Sequence, residues 1–213
     1  MKNLIIIGAR GFGREVLWSA KWPWYKGMKV KGFLDDDPTL FSGFNRRLPP
    51  ILSSVEGYSI QKNDCFFCAL GDPEQRRKYC EIIKNKGGKF INIISFKADI
   101  SPSAKIGEGC FIDAYSVVSD NVSIGDNTII QRGAVIGHDA IISDYVTIGT
   151  YAFCGGGSSI GSLTTINPHS TICRQARVGE DAVVGAGSVV ISNVLDHNHV
   201  IGVPAKTISF FEQ

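Results

Sequence analysis

Of the chain's four histidines, His138 is the one followed directly by a carboxylate, Asp139. An imidazole held at one nitrogen by a carboxylate keeps the other free to take a proton near neutral pH, the chemistry of a general base. Eighteen residues further on, Gly155-Gly156-Gly157 offers bare backbone, whose amides could reach the oxygen of an attacked carbonyl. Eighteen residues before His138 lies Asp120, a second carboxylate able to orient the ring. The same residues also read as a solvated histidine beside a glycine-rich corner. Sequence alone does not choose between Asp139 and Asp120.

The spacing of eighteen comes from the elements that carry these residues. Stepping by six from Ile100 to Val190 meets eleven Ile, four Val and Cys154 at sixteen positions, without an insertion. Four residues after each of these stands a small or β-branched residue, from Ala104 to Val194. Neither the helical period of 3.6 nor the strand period of 2 produces this register. A hexapeptide repeat predicts a parallel β-helix of three six-residue segments per coil, aliphatic residues inward and coils about 4.8 Å apart. Gly107, Gly125, Gly137, Gly149, Gly155, Gly161, Gly179 and Gly185 follow the aliphatic residue, where permissive corner backbone is expected. Residues eighteen apart then share a column, with His138 between Asp120 and Gly156, and Asp139 between Asn121 and Gly157.

Residues 1–95 follow a different grammar. Strands are expected at Leu4–Ile7, Met28–Leu34, Cys65–Leu70 and Lys89–Ile94, with helices at Arg14–Lys21 and Glu74–Lys86. Residues 39–60 read as mixed loop, with Pro49-Pro50 excluding regular structure. Alternating strands and helices predict a small Rossmann-like parallel α/β sheet. The loop Gly8-x-x-Gly11-x-Gly13 sits between a strand and a helix, where backbone amides can meet an anion. It lacks the Gly-x-Gly-x-x-Gly spacing, which disfavours a nicotinamide cofactor. Asp35 and Asp36, ending the second strand, stand where an acidic residue can bind a ribose or base. The expected division is therefore an α/β domain over 1–95 and a β-helix over 96–213.

Composition excludes several classes. Twenty-two basic against 20 acidic residues, a net charge of +2, carry no nucleic-acid or membrane signal. Leu4–Ile7 is too short for a signal peptide, so a cytoplasmic protein with six reduced cysteines is expected. Cys65-x-x-Cys68 has no second pair and reads as core packing, so no metal site is expected.

Gly-Ala-x-Gly-x-Gly-Arg, Gly-Phe-Leu-Asp-Asp-Asp-Pro and Ala-Leu-Gly-Asp-Pro, joined to hexapeptide repeats, resemble the bacterial sugar acetyltransferases. These are left-handed β-helix enzymes of the UDP-4-amino-sugar N-acetyltransferase and sialic acid O-acetyltransferase type. The resemblance implies acetyl-CoA as co-substrate and a homotrimer with acetyl-CoA held between subunits. His138 would be the general base of direct attack. A nucleotide-linked sugar would be held by Gly8, Ala9, Arg10, Gly11, Asp35, Asp36 and Gly71, and Gln131 would face the acceptor. Acetyl-CoA would meet Thr147, Ile148, Gly155, Gly156 and Gly157, and the Gly202-Val203-Pro204-Ala205-Lys206 ending. The sequence departs from the family at Arg10, Gln131, Arg132, Gly137 and Thr147, positions that bear on acceptor choice. A sugar O-acetyltransferase and a non-catalytic sugar-nucleotide-binding protein are the alternatives.

Overall fold

A computed structural model describes residues 1–19, 27–44 and 48–208. The chain divides into two compact units, Met1–Ile93 and Ile94–Gln213.

In the first unit, strands β1 (Lys2–Ile7), β2 (Met28–Leu34), β3 (Ile51–Ser53) and β4 (Asp64–Cys68) form one sheet in the order β3-β2-β1-β4. Every pairing is parallel. Leu4, Ile5, Ile6 and Ile7 of the central strand are buried, as expected for a strand covered on both faces. Helix α1 (Gly11–Ser19) begins a turn earlier than the expected Arg14, and the expected end at Lys21 lies outside the described residues. Helix α2 (Pro73–Asn85) has Asp72 as its N-cap, accepting the Gln75 N–H at 2.8 Å, with Pro73 in its first turn.

Three expectations for this unit need correction. Ile51–Ser53, assigned to loop, is an edge strand. The prolines stand just before it, and Pro50 contributes its carbonyl to the Phe33 N–H at 2.9 Å, so the missing proline N–H costs no ladder bond. The strand expected at Lys89–Ile94 is reduced to an isolated bridge between Phe66 and Phe90 and a two-residue strand, Ile93–Ile94. The third expected strand stops at Cys68 rather than Leu70. Residues 45–47 of the expected loop lie outside the described residues.

From Asp99 to Val190 the second unit is a parallel β-solenoid of two-residue strands stacked at a register of eighteen: Val135 pairs with Phe153 and Phe153 with Thr171; in the last coil the step shortens to sixteen, with Val183 paired to His199. The aliphatic residues from Ile112 to Val190 form one continuous core with the small residues between them. Every sixth residue from Gly109 to Gly187 has positive φ, including Asn121, Asp139, Tyr151 and His169. These are the corners.

The glycines expected at corners stand elsewhere. Gly107, Gly125, Gly137, Gly149, Gly155, Gly161, Gly179 and Gly185 precede the left-handed residue by two and do not have positive φ. Close approach explains most of them: a Cβ on Gly137 would lie 2.6 Å from the Gly156 nitrogen, and one on Gly155 2.6 Å from the Arg174 nitrogen. The absence of a side chain lets successive coils touch.

Candidate active site

His138 and Asp139 occupy one corner of the solenoid. The left-handed backbone at Asp139, φ 58°, turns its carboxylate back toward the preceding residue. Asp139 Oδ2 lies 2.7 Å from His138 Nδ1, while its Oδ1 accepts the Asn121 side-chain amide at 2.8 Å. Those two hydrogen bonds, Asn121 first and His138 second, hold the Asp139 carboxyl below its usual range. The pair is open to solvent, with side chains 71% and 57% exposed. Asp120 does not share this role: its Oδ1 accepts from the hydroxyls of Ser103 and Ser101, one coil away. Of the two carboxylates, the ring's partner is Asp139.

The glycine run lies against the ring. A Cβ on Gly156 would meet His138 Nε2 at 2.6 Å and Cε1 at 2.8 Å, so Gly156 leaves the space that the imidazole fills. Backbone hydrogen bonds narrow the set of exposed amides. Gly155 N–H donates to Ile172 O and Gly157 N–H to His138 O, both at 2.8 Å. Gly156 N–H is left without an intramolecular acceptor among the described residues.

Other expected positions have fixed roles. Ile148 is 0% exposed and belongs to the solenoid core, and Thr147 beside it is also buried, so neither presents a side chain to a ligand. Gln131 Oε1 accepts from the N–H and hydroxyl of Thr150, each at 3.2 Å. Arg132 pairs with Asp113 at 3.4 Å. At the C-terminal end, Gly202 N–H donates to Ser188 Oγ and Ala205 N–H to Val189 O, folding the turn onto the last coil. Pro204 and Lys206 stay exposed. His169 stacks on Tyr151 with ring centroids 5.5 Å apart, and His197 contacts Asp181 at 3.1 Å.

A second site lies wholly within the first unit, a cavity of about 370 Å³ lined by Gly8, Arg10, Asp36, Leu70, Gln75 and Tyr79 among others. Asp35 lines the same cavity. Its Oδ2 accepts the Ala9 N–H at 2.8 Å and its Oδ1 the Asp37 N–H at 3.1 Å, so it clasps the glycine loop to the end of β2. Gly13 is structural as well, since a Cβ there would run into the carbonyl of Gly8. Gly11 and Gly71 have open space. Asp36 accepts the Tyr79 hydroxyl at 3.0 Å, and burial, then this bond, pushes the phenol up to about 12.

Gln75, Tyr79 and Arg76 were not foreseen from sequence. Gln75 and Tyr79 are four apart on α2, a spacing that marks one helix face. Arg76 is 1% exposed, and its Nη1 donates to Leu70 O at 2.7 Å and Gly71 O at 3.1 Å. Its charge gives no sequence signal of burial.

The cysteines are all free thiols, and Cys65 and Cys68 are buried as packing residues. Among the described residues no group of three potential metal ligands converges, and no helix is long and apolar enough to cross a membrane.

Comparison with known proteins finds matches in both units. Residues 3–83 match the PglD N-terminal domain family, and residues 103–138 the bacterial transferase hexapeptide (six repeats) family. Perosamine N-acetyltransferase from Caulobacter crescentus, solved as a histidine variant with CoA and GDP-perosamine, is 28% identical with a TM-score of 0.89. That likeness covers 99% of this chain and 98% of that one. The acetyltransferase domain of PglB from Neisseria gonorrhoeae, solved with acetyl coenzyme A, is 28% identical with a TM-score of 0.87, covering 97% and 99%. WeeI from Acinetobacter baumannii is 25% identical with a TM-score of 0.79, covering 98% and 100%. A curated relative, the uncharacterized protein L142 of Acanthamoeba polyphaga mimivirus, is 32% identical over 100 residues. The match takes in 47% of this chain and only 19% of that relative's length. The fold is thus the left-handed β-helix of these structures. The chain thus joins a match to the PglD N-terminal domain with a match to the bacterial transferase hexapeptide repeats.

Proposed function

We propose that the protein transfers an acetyl group from acetyl-CoA to the amine of a nucleotide-linked amino sugar. The observation that carries this reading is the His138–Asp139 contact, 2.7 Å between Nδ1 and Oδ2, with the opposite edge of the ring lying over Gly156. The comparisons support it at the level of class: the perosamine enzyme binds CoA with GDP-perosamine, and the PglB domain binds acetyl coenzyme A.

In this mechanism Asp139 fixes the proton of the neutral imidazole on Nδ1 and leaves Nε2 as the base. Nε2 takes a proton from the acceptor amine as its nitrogen attacks the thioester carbonyl. The C–N bond forms, the carbonyl oxygen takes up negative charge, and collapse expels the CoA thiolate. Gly156 N–H is the donor available to that oxyanion. No acyl-enzyme is formed: Cys154 lies in the core, where burial pushes its thiol up to about 12. The exposed Lys206 is the cation offered to a CoA phosphate. The nucleotide occupies the cavity of the α/β unit, with Arg10 toward the diphosphate. The proposal includes a homotrimer, checked by sedimentation at three times the chain's 23.1 kDa.

The decisive experiment offers acetyl-CoA with a panel of nucleotide-linked 4-amino sugars and free sugars, and follows thiol release and product mass. Turnover on the amino sugars, lost in His138→Ala, is the expected result. Turnover on a sialic acid hydroxyl alone would move the acceptor atom from nitrogen to oxygen. No turnover on any acceptor would leave a binding protein.

A further inference from the structure

We infer that His169 is the stacking platform for the adenine of acetyl-CoA, with the open corner at Gly187 as the seat of that ring. This rests on the reading of acetyl-CoA as the donor and goes further by naming the residue that holds its far end.

One corner column of the solenoid carries Gly133, Tyr151, His169 and Gly187, each eighteen residues from the next. All four have left-handed backbone, with φ of 67°, 56°, 59° and 67°. The Tyr151 ring lies over Gly133, where a Cβ would run into it. His169 stacks on Tyr151, with ring centroids 5.5 Å apart and planes 27° apart. Gly187 N–H donates to Pro168 O at 3.0 Å, which sets the Gly187 backbone one coil above His169. There the series of rings stops, since a Cβ on Gly187 would meet nothing within 4 Å. Tyr151 covers one face of the imidazole, and the other face is turned to this open corner. A flat heteroaromatic ring extends such a stack at little conformational cost.

The C-terminal turn flanks the same corner. Gly202 N–H donates to Ser188 Oγ at 3.1 Å, Val189 N–H to Gly202 O at 3.0 Å and Ala205 N–H to Val189 O at 2.8 Å. The turn is thereby docked on the two residues that follow Gly187. It presents Val203, 72% exposed, and the exposed Lys206, which pairs with Ile201 across the base of the turn. An aromatic floor, an apolar flank and a lysine suit a flat ring with a phosphate close by. Adenine is the sole aromatic ring of acetyl-CoA, and its ribose bears the 3′-phosphate. The strand Thr171–Ile172 joins the His169 corner to that of Arg174, one coil above Gly156. That span is about 17 Å for five extended residues, and the pantetheine and diphosphate of the coenzyme are long enough to cross it. The acceptor's nucleotide is seated in the α/β cavity on the same reading, which leaves this corner to the donor's base.

The test measures KM for acetyl-CoA and for acetyl-pantetheine, which lacks the adenine nucleotide, in the parent, His169→Ala and His169→Phe. Titration calorimetry of the intact protein with CoA and with adenosine 3′,5′-bisphosphate reads binding without turnover. Stacking of a base on an aromatic side chain is worth roughly five- to a hundredfold in affinity. His169→Ala should weaken acetyl-CoA, CoA and the bisphosphate by that factor, and His169→Phe, which keeps a flat face, should restore most of it. KM for acetyl-pantetheine should hold in both variants. Equal weakening of acetyl-pantetheine would overturn the inference, because it marks a disturbed solenoid and not a lost stack. Unchanged CoA affinity in His169→Ala would overturn the adenine seat while leaving acetyl-CoA as the donor. A smaller oligomer in that variant, read by sedimentation, would overturn it too, since the corner would then be a contact between copies. No binding of CoA by the parent protein would remove the donor reading and the proposal with it.

Discussion

The imidazole of His138 lies against the α-carbon of Gly156 in the next coil, so closely that a Cβ there would sit 2.6 Å from Nε2. Backbone conformation does not demand this glycine, because Gly156 lacks the positive φ of its neighbour Gly157. Gly156→Ala should therefore fold normally and push the ring off its position. The expected outcome is a fall in kcat of about 10²-fold with a melting temperature within a few degrees of the parent, read by thiol release and calorimetry.

Asp139→Asn tests the orienting carboxylate. The parent Asp139 carboxyl is held below 3.8 by Asn121 and His138, so it stays ionised throughout an assay between about pH 5 and 8. A depressed carboxyl contributes stability that is present above its unfolded value and lost only as pH falls through the folded one. Stability in the assay range should thus be level for this group. The amide removes a negative charge that favours the imidazolium. Without the carboxylate that orients the ring, kcat should fall by roughly 10²-fold or more, read by thiol release.

Arg76→Met should cost about 2–4 kcal/mol, since it strips hydrogen bonds made by a buried cation to Leu70 and Gly71 carbonyls. Chemical denaturation measures the loss. Because Leu70 lines the α/β cavity, KM for the nucleotide sugar should rise while KM for acetyl-CoA holds.

Ser158→Ala should be neutral or stabilising by up to about 1 kcal/mol. The Ser158 hydroxyl is buried without a hydrogen-bond partner, so its removal relieves desolvation without breaking a bond. The equivalent hydroxyls of Ser116, Thr128 and Thr164 donate to carbonyls of the adjoining coil, and Thr128→Ala should be destabilising. The contrast in melting temperature between the two variants is the measurement.

Thiol labelling should separate the cysteines. Burial pushes Cys110 and Cys154 up to about 12 and raises Cys65, leaving almost no thiolate near neutral pH. In the folded protein a maleimide should label Cys173, the half-buried one, within minutes, and the others only after denaturant is added. Mass spectrometry of timed samples reads this directly.

The solenoid was legible residue by residue because one rule, an inward aliphatic every six positions, repeats without insertion. That rule placed Asp120, His138 and Gly156 in one column before any coordinates. It could not choose Asp139 over Asp120, since columns fix the height of a side chain and not its direction. The choice is made by the left-handed corner backbone at Asp139 and by two serines that take up Asp120. The α/β unit was legible only in outline. Asp35 and Asp36 are adjacent and identical in type, yet one closes a loop with both oxygens and the other keeps one free. Ile51–Ser53 was hidden by the prolines before it, because an edge strand needs fewer donors than an interior one.

From Asp99 to Val190 the eighteen-residue register also works as a ruler. Within that span heights come in whole coils, so eighteen residues added or removed beyond the coil that carries Gly156 leave His138 between Asp120 and Gly156. A single-residue deletion between Gly156 and the C-terminal turn would instead move every later outward side chain to the adjoining position of its hexapeptide. For the acyl-donor wall this makes length a discrete variable, tunable by duplicating a coil and sharply intolerant of anything smaller.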